Sequence, residues 1–415
     1  MDVTPGDDQF ARPVRGRPAP IPSPPDLMKP SEFHVPIDLR SSFPTLPRRA
    51  AFRGPLATFM MLSVAACGGG DAAPEGVAES GLEDADWSRA QRLEALLSTL
   101  AADSMEGRRT GTPGAHRAAA FLAAELERYG VEAAGDEGSY LQTVPMARIT
   151  EETDNGPRER MVMEIDYEGW DALPAESILM TESNVIGIIR GSDPNVANEA
   201  IVVGAHFDHV GIGASVPDEA GVPDSIYNGA DDDGSGTVAV LEIARDLIQG
   251  EAPRRTVVIL LSTGEEMGLL GTRYYISNPV IPMHQTVADL QIEMIGRPDE
   301  AVGGFGKAWL TGYERTTMGD QLAAAGSPIV ADPRPEQNFF FRSDNIAFAV
   351  LGIPAHTMSS FGLHSDYHRP SDEVDRVDFD HMAVLVDAAV EAVLFLANGP
   401  RPDWKEGGRE GLQNF

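Results

Sequence analysis

A chain of 415 residues is long enough for one large α/β domain or two ordinary ones, and its 42% hydrophobic and 23% charged residues are ordinary for a globular protein. The charge is not ordinary: 64 Asp and Glu against 32 Lys and Arg give a net −32, a surface that repels nucleic acid and anionic lipid and so excludes basic-patch binding. The single cysteine, Cys67, excludes an intramolecular disulfide and a cysteine-rich metal site.

Residues 1–47 are rich in proline and show no hydrophobic period, so disorder is expected there. Residues 48–67, RRAAFRGPLATFMMLSVAAC, set three arginines before an apolar run and small residues, the pattern of an export signal. Its end, Val64-Ala65-Ala66-Cys67, resembles the lipobox of bacterial lipoproteins. That resemblance implies a lipid on Cys67, attachment to a membrane through it, and a place in the periplasm or cell envelope. The apolar stretch is too short to cross a bilayer as a helix. The expected organisation is a leader and lipoprotein signal peptide over 1–66, a flexible tether over 67–85, one folded domain over 86–399 and a tail over 400–415. Met28 is a second candidate start.

From Asp86 onward helix and strand signals alternate. Helices are expected near Trp87–Leu100, from Thr112-Pro113 to Gly130, over Thr237–Ile248 and over Phe379–Ala397. The second has an N-cap residue followed by proline at its first position and ends on glycine. Strands are expected over 158–168, 184–190, Ile201–Ala205, Thr256–Leu261, Val287–Ile292 and Ala308–Thr311. Thr256–Leu261 reads TVVILL, a continuous apolar run of the kind buried on both faces. The stretch 147–183 is an excursion too short for an inserted domain. Such alternation predicts an α/β fold with a mixed, largely parallel central sheet between helical layers. Ligands gather at the carboxyl ends of strands in such sheets, and the candidate ligands follow apolar runs.

Five segments carry chemistry. His206-Phe207-Asp208-His209 follows the apolar IVVG; imidazole is a good zinc ligand, and a carboxylate on its other nitrogen raises its basicity. Asn228-Gly229-Ala230-Asp231-Asp232-Asp233-Gly234-Ser235-Gly236 places three adjacent carboxylates that repel one another unless cations, or an exposed helix cap, relieve them. Gly264-Glu265-Glu266 follows the buried strand, where one carboxylate can hold metal while the other works as a base, or both can simply favour a helix dipole. Glu293 ends another strand. His364 and His368 flank Ser365-Asp366-Tyr367, and alone they would pass for a surface loop.

Taken in order, His-x-Asp, Gly-Ala-Asp-Asp-Asp-Gly-Ser-Gly, Gly-Glu-Glu-x-Gly-Leu-x-Gly, Glu293 before Met-x-Gly-Arg, and Tyr-His-x-x-Ser-Asp resemble the co-catalytic di-zinc aminopeptidases. Their relatives include secreted bacterial leucyl aminopeptidases, glutamate carboxypeptidases and glutaminyl cyclases. The resemblance spans roughly residues 86–398 and extends to Met105-Glu106-Gly107-Arg108, Ser343-Asp344 and Gly352-Ile353-Pro354-Ala355. It implies a three-layer zinc-exopeptidase fold and two zinc ions. Asp232 bridges them, His206 and Glu293 complete one, and Glu266 and His368 complete the other. Glu265 is implied as general base, Asp208 as support for His206, and Tyr367 as a candidate for stabilising the oxyanion. Several relatives have Asp where this chain has Glu293. A cis Asp232–Asp233 bond is also suggested. His209, His364 and His356 receive no metal role. The implied activity is removal of N-terminal residues from peptides with a free N-terminus. A carboxypeptidase or dipeptidase, with Arg297, Arg342 or Arg369 as carboxylate clamp, a glutaminyl cyclase and a metal-free binding protein are the alternatives.

Overall fold

A computed structural model describes residues 87–153, 156–179, 182–217 and 221–415. The leader, the signal-like segment and the tether therefore lie outside the described residues. Among the described residues there are seven α-helices: α1 (Arg89–Leu100), α2 (Pro113–Tyr129), α3 (Gly236–Gln249), α4 (Leu270–Ser277), α5 (Met318–Ala324), α6 (Asn345–Val350) and α7 (Phe379–Asn398). Their ends follow from local chemistry. Ser88 and Gln91 cap α1 reciprocally, Thr112 caps α2 with Pro113 at its first position, and Gly130 closes α2 at φ 79°. Asp378 caps α7 through the His381 amide.

The strands are β1 (Glu132–Ala133), β2 (Leu141–Thr143), β3 (Met146–Thr153), β4 (Gly156–Met163), β5 (Ile178–Leu179), β6 (Ser183–Ile189), β7 (Ala200–His206), β8 (Gly211–Pro217), β9 (Pro223–Tyr227), β10 (Thr256–Ser262), β11 (Thr286–Ile292), β12 (Ala308–Leu310), β13 (Ile329–Ala331) and β14 (Ala355–Ser359). Nine of them make the central sheet in the order β1-β6-β10-β7-β11-β14-β12-β13, with β2 also on β6. Its middle, β10-β7-β11-β14, is parallel, and β6 and β12 run antiparallel on either side. The mixed, largely parallel expectation holds where it matters, at the centre.

Alternation along the central strands explains the layers. Ile201, Val203, Ala205, Val257, Ile259 and Leu261 join one core with α1, α2, α3 and α7. Val202, Val258 and Leu260 point the other way and are equally buried. There α4 and α6 pack on each other, with α4 on β6 and α6 on β11 and β14. Among the described residues no helix is long and apolar enough to cross a membrane.

Three readings change. The 147–183 excursion is a small antiparallel sheet of its own, β4-β3-β5, and the expected strand over 158–168 stops at Met163. A hairpin, β8-β9, occupies the chain between the His206 and Asp232 segments, where the sequence shows only scattered polar and small residues. The expected tail is tied down: Trp404 bridges Thr316 and donates its indole N–H to the Gly352 carbonyl, while Arg315 donates to the carbonyls of Gly408 and Glu410. The indole hydrogen bond and backbone pairing fix a stretch whose composition alone looks like a polar end.

Candidate metal centre

Parallel register builds the site. Ser262 of β10 is level with His206 of β7, and Gln291 of β11 is level with Gly204, so Glu293 emerges beside His206. The two glutamates Glu265 and Glu266 follow β10 through Gly264, which adopts φ 73°. All three strands end at one edge. The acidic triplet enters from the side, just before α3, and His368 arrives on a loop with φ 53°.

Each member of the triplet has a different partner. Asp231 accepts from the Gly296 amide at 2.7 Å and meets His364 Nε2 at 2.9 Å. Asp233 accepts from the Met294 and Gly236 amides, both at 3.0 Å. Asp232 turns its side chain into the site, and the Asp232–Asp233 peptide is cis, as the resemblance suggested. Its Oδ1 is 3.4 Å from His206 Nε2, and its Oδ2 is 3.1 Å from His368 Nε2. One carboxylate thus faces two groups of donors. His206, Asp232 and Glu293 form the first, and His209, Asp232, Glu266 and His368 the second, with the donor atoms of each group within 4.8 Å of one another.

All five ligands expected from the sequence come together. His209 was missed. Its Nδ1 lies 2.9 Å from Glu266 Oε1 and 3.8 Å from Asp232 Oδ2. The signal was present: His209 sits three residues beyond His206 in the same short loop, but lone-residue spacing cannot tell a ligand from a core histidine. Arg108 was also underrated. Wholly buried, it donates to the carbonyls of Phe207, Asn228 and Gly229, tying the His206–His209 loop to the acidic triplet. Gly229 is obligatory here: at φ 54°, a Cβ would lie 2.5 Å from the His209 ring.

The support for His206 differs from expectation. His206 Nδ1 meets the Asp208 backbone carbonyl at 3.1 Å, while the Asp208 carboxylate is 3.7 Å away. That carboxylate accepts instead from the Glu265 amide at 3.1 Å and the Thr110 hydroxyl at 3.0 Å. Asp208 therefore positions the loop that carries Glu265. Tyr367 stacks on His368 with ring centroids 4.0 Å apart. His356 is bonded between the Thr311 carbonyl and Thr316 in the core, and burial lowers it to about 4.

Electrostatics test whether cations fit. Burial pushes the Glu265 carboxyl well up, although His206 opposes it, and the neighbouring Glu293 carboxylate adds to the rise. Burial likewise lifts Glu293 to about 7. Burial would raise Glu266 too, but His368 and His209 together overcome it and bring the group to about 2. His368 is raised to about 11 because Glu266 and Asp232 overcome burial. Meanwhile both ring nitrogens of His209, Asp232 Oδ2, Glu266 Oε1 and His368 Nε2 are buried without a hydrogen-bond partner of sound geometry. Such atoms are costly unless something satisfies them. Imidazole nitrogens and carboxylate oxygens aimed at common points are the donor set of zinc and similar divalent ions. The residues fit a metal.

A model of peptidase family M28 matches residues 184–393, which contain every donor named above. The chain belongs to peptidase family M28. Among curated relatives, a probable leucine aminopeptidase 2 of Aspergillus oryzae is 32% identical over 42% of this chain and 33% of its own length. A vacuolar membrane protease of Penicillium rubens is 26% identical over 50% of this chain and 21% of its own length. The chain thus spans between about a fifth and a third of these relatives. Among solved structures, the zinc aminopeptidase BSAP of Bacillus subtilis aligns over 75% of this chain and 96% of its own, with a TM-score of 0.51 and 15% identity, a likeness of fold.

The expected place as a bacterial periplasmic lipoprotein is corrected by the same comparison. Curated relatives include vacuolar membrane proteases of the fungi Penicillium rubens and Sclerotinia sclerotiorum, which points away from a bacterial envelope lipoprotein.

Proposed function

We propose that this chain is a metal-dependent aminopeptidase that hydrolyses the N-terminal residue of peptides with two zinc ions. The observation that carries the reading is Asp232, whose two oxygens face separate groups of buried and half-buried donors beside Glu265. His206, Asp232 and Glu293 would hold one ion, and His209, Asp232, Glu266 and His368 the other. When bound, zinc supplies a Lewis acid that polarises a carbonyl and makes a water easier to deprotonate. Glu265 takes the proton of the attacking water on its carboxylate and later gives it to the leaving amine. Asp208 holds the Glu265 amide and so fixes that carboxylate's approach. On this reading Tyr367, whose ring stacks on His368, donates its hydroxyl hydrogen to the developing oxyanion. The curated leucine aminopeptidases among the relatives support a free N-terminus as the recognised end.

The test pairs metal content with hydrolysis. Protein purified with zinc should carry two ions by elemental analysis and release p-nitroaniline from leucyl-p-nitroanilide, but not from its N-acetylated form. Hydrolysis of the blocked substrate at an equal rate would reject the aminopeptidase reading, and a stoichiometry of one would reject the two-ion reading.

A further inference from the structure

Against the three-donor group lies a pocket of about 400 Å³, open to solvent, whose wall includes Glu293, Met294, Trp309, Phe339, Arg342 and Phe361. Much of it is aromatic. The Trp309 and Phe339 rings are 5.1 Å apart, and Phe361 meets Phe339 edge-on at 6.1 Å. Into this wall comes one cation. The Arg342 guanidinium is half-buried and lies over the Phe339 ring, 5.1 Å from its centroid.

Arg342 forms no ion pair with a carboxylate among the described residues. Other arginines with little exposure are engaged. Arg297 holds Asp366 at 2.6 Å and Asp372 at 3.0 Å, Arg334 holds Asp299 at 2.7 Å, and Arg255 holds Glu199 at 2.7 Å. In a chain with 64 acidic residues, an arginine left over inside a pocket calls for an explanation. Its guanidinium cannot shed its charge, and stacking on an aromatic face leaves its edge donors pointing outward. Those donors match a carboxylate in bidentate fashion, and the aromatic rings beside them strengthen the pairing by lowering the local dielectric. Position agrees with this. Arg342 and its neighbour Ser343 line the same pocket as Glu293 of the three-donor group. Arg297 is already committed to two aspartates, and Arg369 does not line the pocket.

We infer that this pocket takes a carboxylate of the peptide substrate and that Arg342 binds it, making the enzyme selective for acidic groups next to the scissile bond. The inference rests on the peptidase reading above. The carboxylate has two sources: the side chain of an N-terminal Glu or Asp, or the free C-terminus of a dipeptide.

The experiment uses the zinc-loaded full chain, wild type, R342K and R342Q. Rates are measured on leucyl-, glutaminyl- and glutamyl-p-nitroanilide, and on glycyl-leucine against glycyl-leucinamide. Wild type should favour one charged member over its neutral isostere by about 10- to 100-fold in kcat/KM, the worth of a hydrogen bond to a charged group. R342Q should bring that ratio to about 1, with R342K between. A glutamyl preference identifies the side chain as the source, and a dipeptide preference alone identifies the C-terminus. Leucyl hydrolysis without either preference overturns the inference and leaves the peptidase reading standing. So does a preference that survives R342Q. If no substrate is cleaved, the peptidase reading fails, and calorimetry with L-glutamate against L-glutamine, and with glycyl-leucine against its amide, decides. Tighter binding of a charged member by about tenfold in wild type supports the pocket, and equal binding within both pairs overturns it. Because wild-type ratios decide by themselves, a failure of R342Q to fold does not shelter the inference.

Discussion

The two donor groups share Asp232 but are built differently. The first has three members, His206, Asp232 and Glu293, two of them at the ends of neighbouring parallel strands. The second has four, His209, Asp232, Glu266 and His368, all carried by loops or turns beyond regular strands. A cation with fewer protein donors keeps positions for water or substrate, whereas one with four is closer to saturated. The aromatic pocket adjoins the three-donor side, through Glu293. Strand ends thus carry two donors of the group that faces the pocket, and the other group is built beyond the strands.

The largest expected effect leaves both groups intact. Glu265→Gln keeps the size of the side chain but cannot accept a proton at neutral pH. Turnover should fall by about 10²–10⁴-fold while metal content stays unchanged by elemental analysis. A variant that loses metal would move Glu265 into one of the donor groups and break the comparison. Asp232→Ala acts on both groups at once. Two affinities should fall together, each by about 10–100-fold or more, as read in a chelator titration. If only one falls, Asp232 does not bridge.

How much of this was legible depended on where periodicity and neighbours carry information. The apolar runs of β7, β10 and β11 gave both the sheet and the places where His206, Glu265, Glu266 and Glu293 would emerge, because a strand buried on both faces has little freedom of composition. The ends of α2 were readable from Thr112, Pro113 and Gly130 for the same local reason. Beyond those strands, the role of His209 depends on how its loop folds back over Glu266, which no spacing encodes. The resemblance gave Asp208 to His206, and its carboxylate lies 3.7 Å from that ring, yet it bonds the Glu265 amide, a contact 57 residues away. The β8-β9 hairpin has exposed Ile212 and Val222 and lacks alternation, so it gave no strand signal.

Single-histidine variants sharpen the comparison further. His206→Ala leaves its group with two donors, and His209→Ala leaves the other with three. Both should weaken metal binding, by about 10–100-fold at the affected position. His206→Ala should give the larger loss, and each variant should shift a different step of a two-step chelator titration. If His209→Ala shifts neither step, His209 is a core imidazole and the second group also has three donors. The asymmetry between the groups would then vanish.

The smallest expected effect comes from a methyl group. Gly229 holds φ 54° and ψ 53°, a left-handed conformation that costs alanine roughly 1–2 kcal/mol. Its added Cβ would lie 2.4 Å from the Asp232 carbonyl oxygen and 2.5 Å from the His209 ring, so the ring has to move. Its three nearest atoms belong to Asp232 and His209, not to His206 or Glu293. Gly229→Ala should therefore lower the thermal midpoint by a few degrees, as about 1–2 kcal/mol does in a domain of this size. It should also weaken the step assigned to the four-donor group by several-fold, less than outright loss of His209, and leave the other step nearly in place. The chelator titration separates the outcomes. A shift confined to one step shows that the loop around His209 tunes one group alone. Equal shifts in both steps show that strain at the Asp232 carbonyl reaches its side chain, and then the shared carboxylate, rather than the number of donors, governs how the two groups differ.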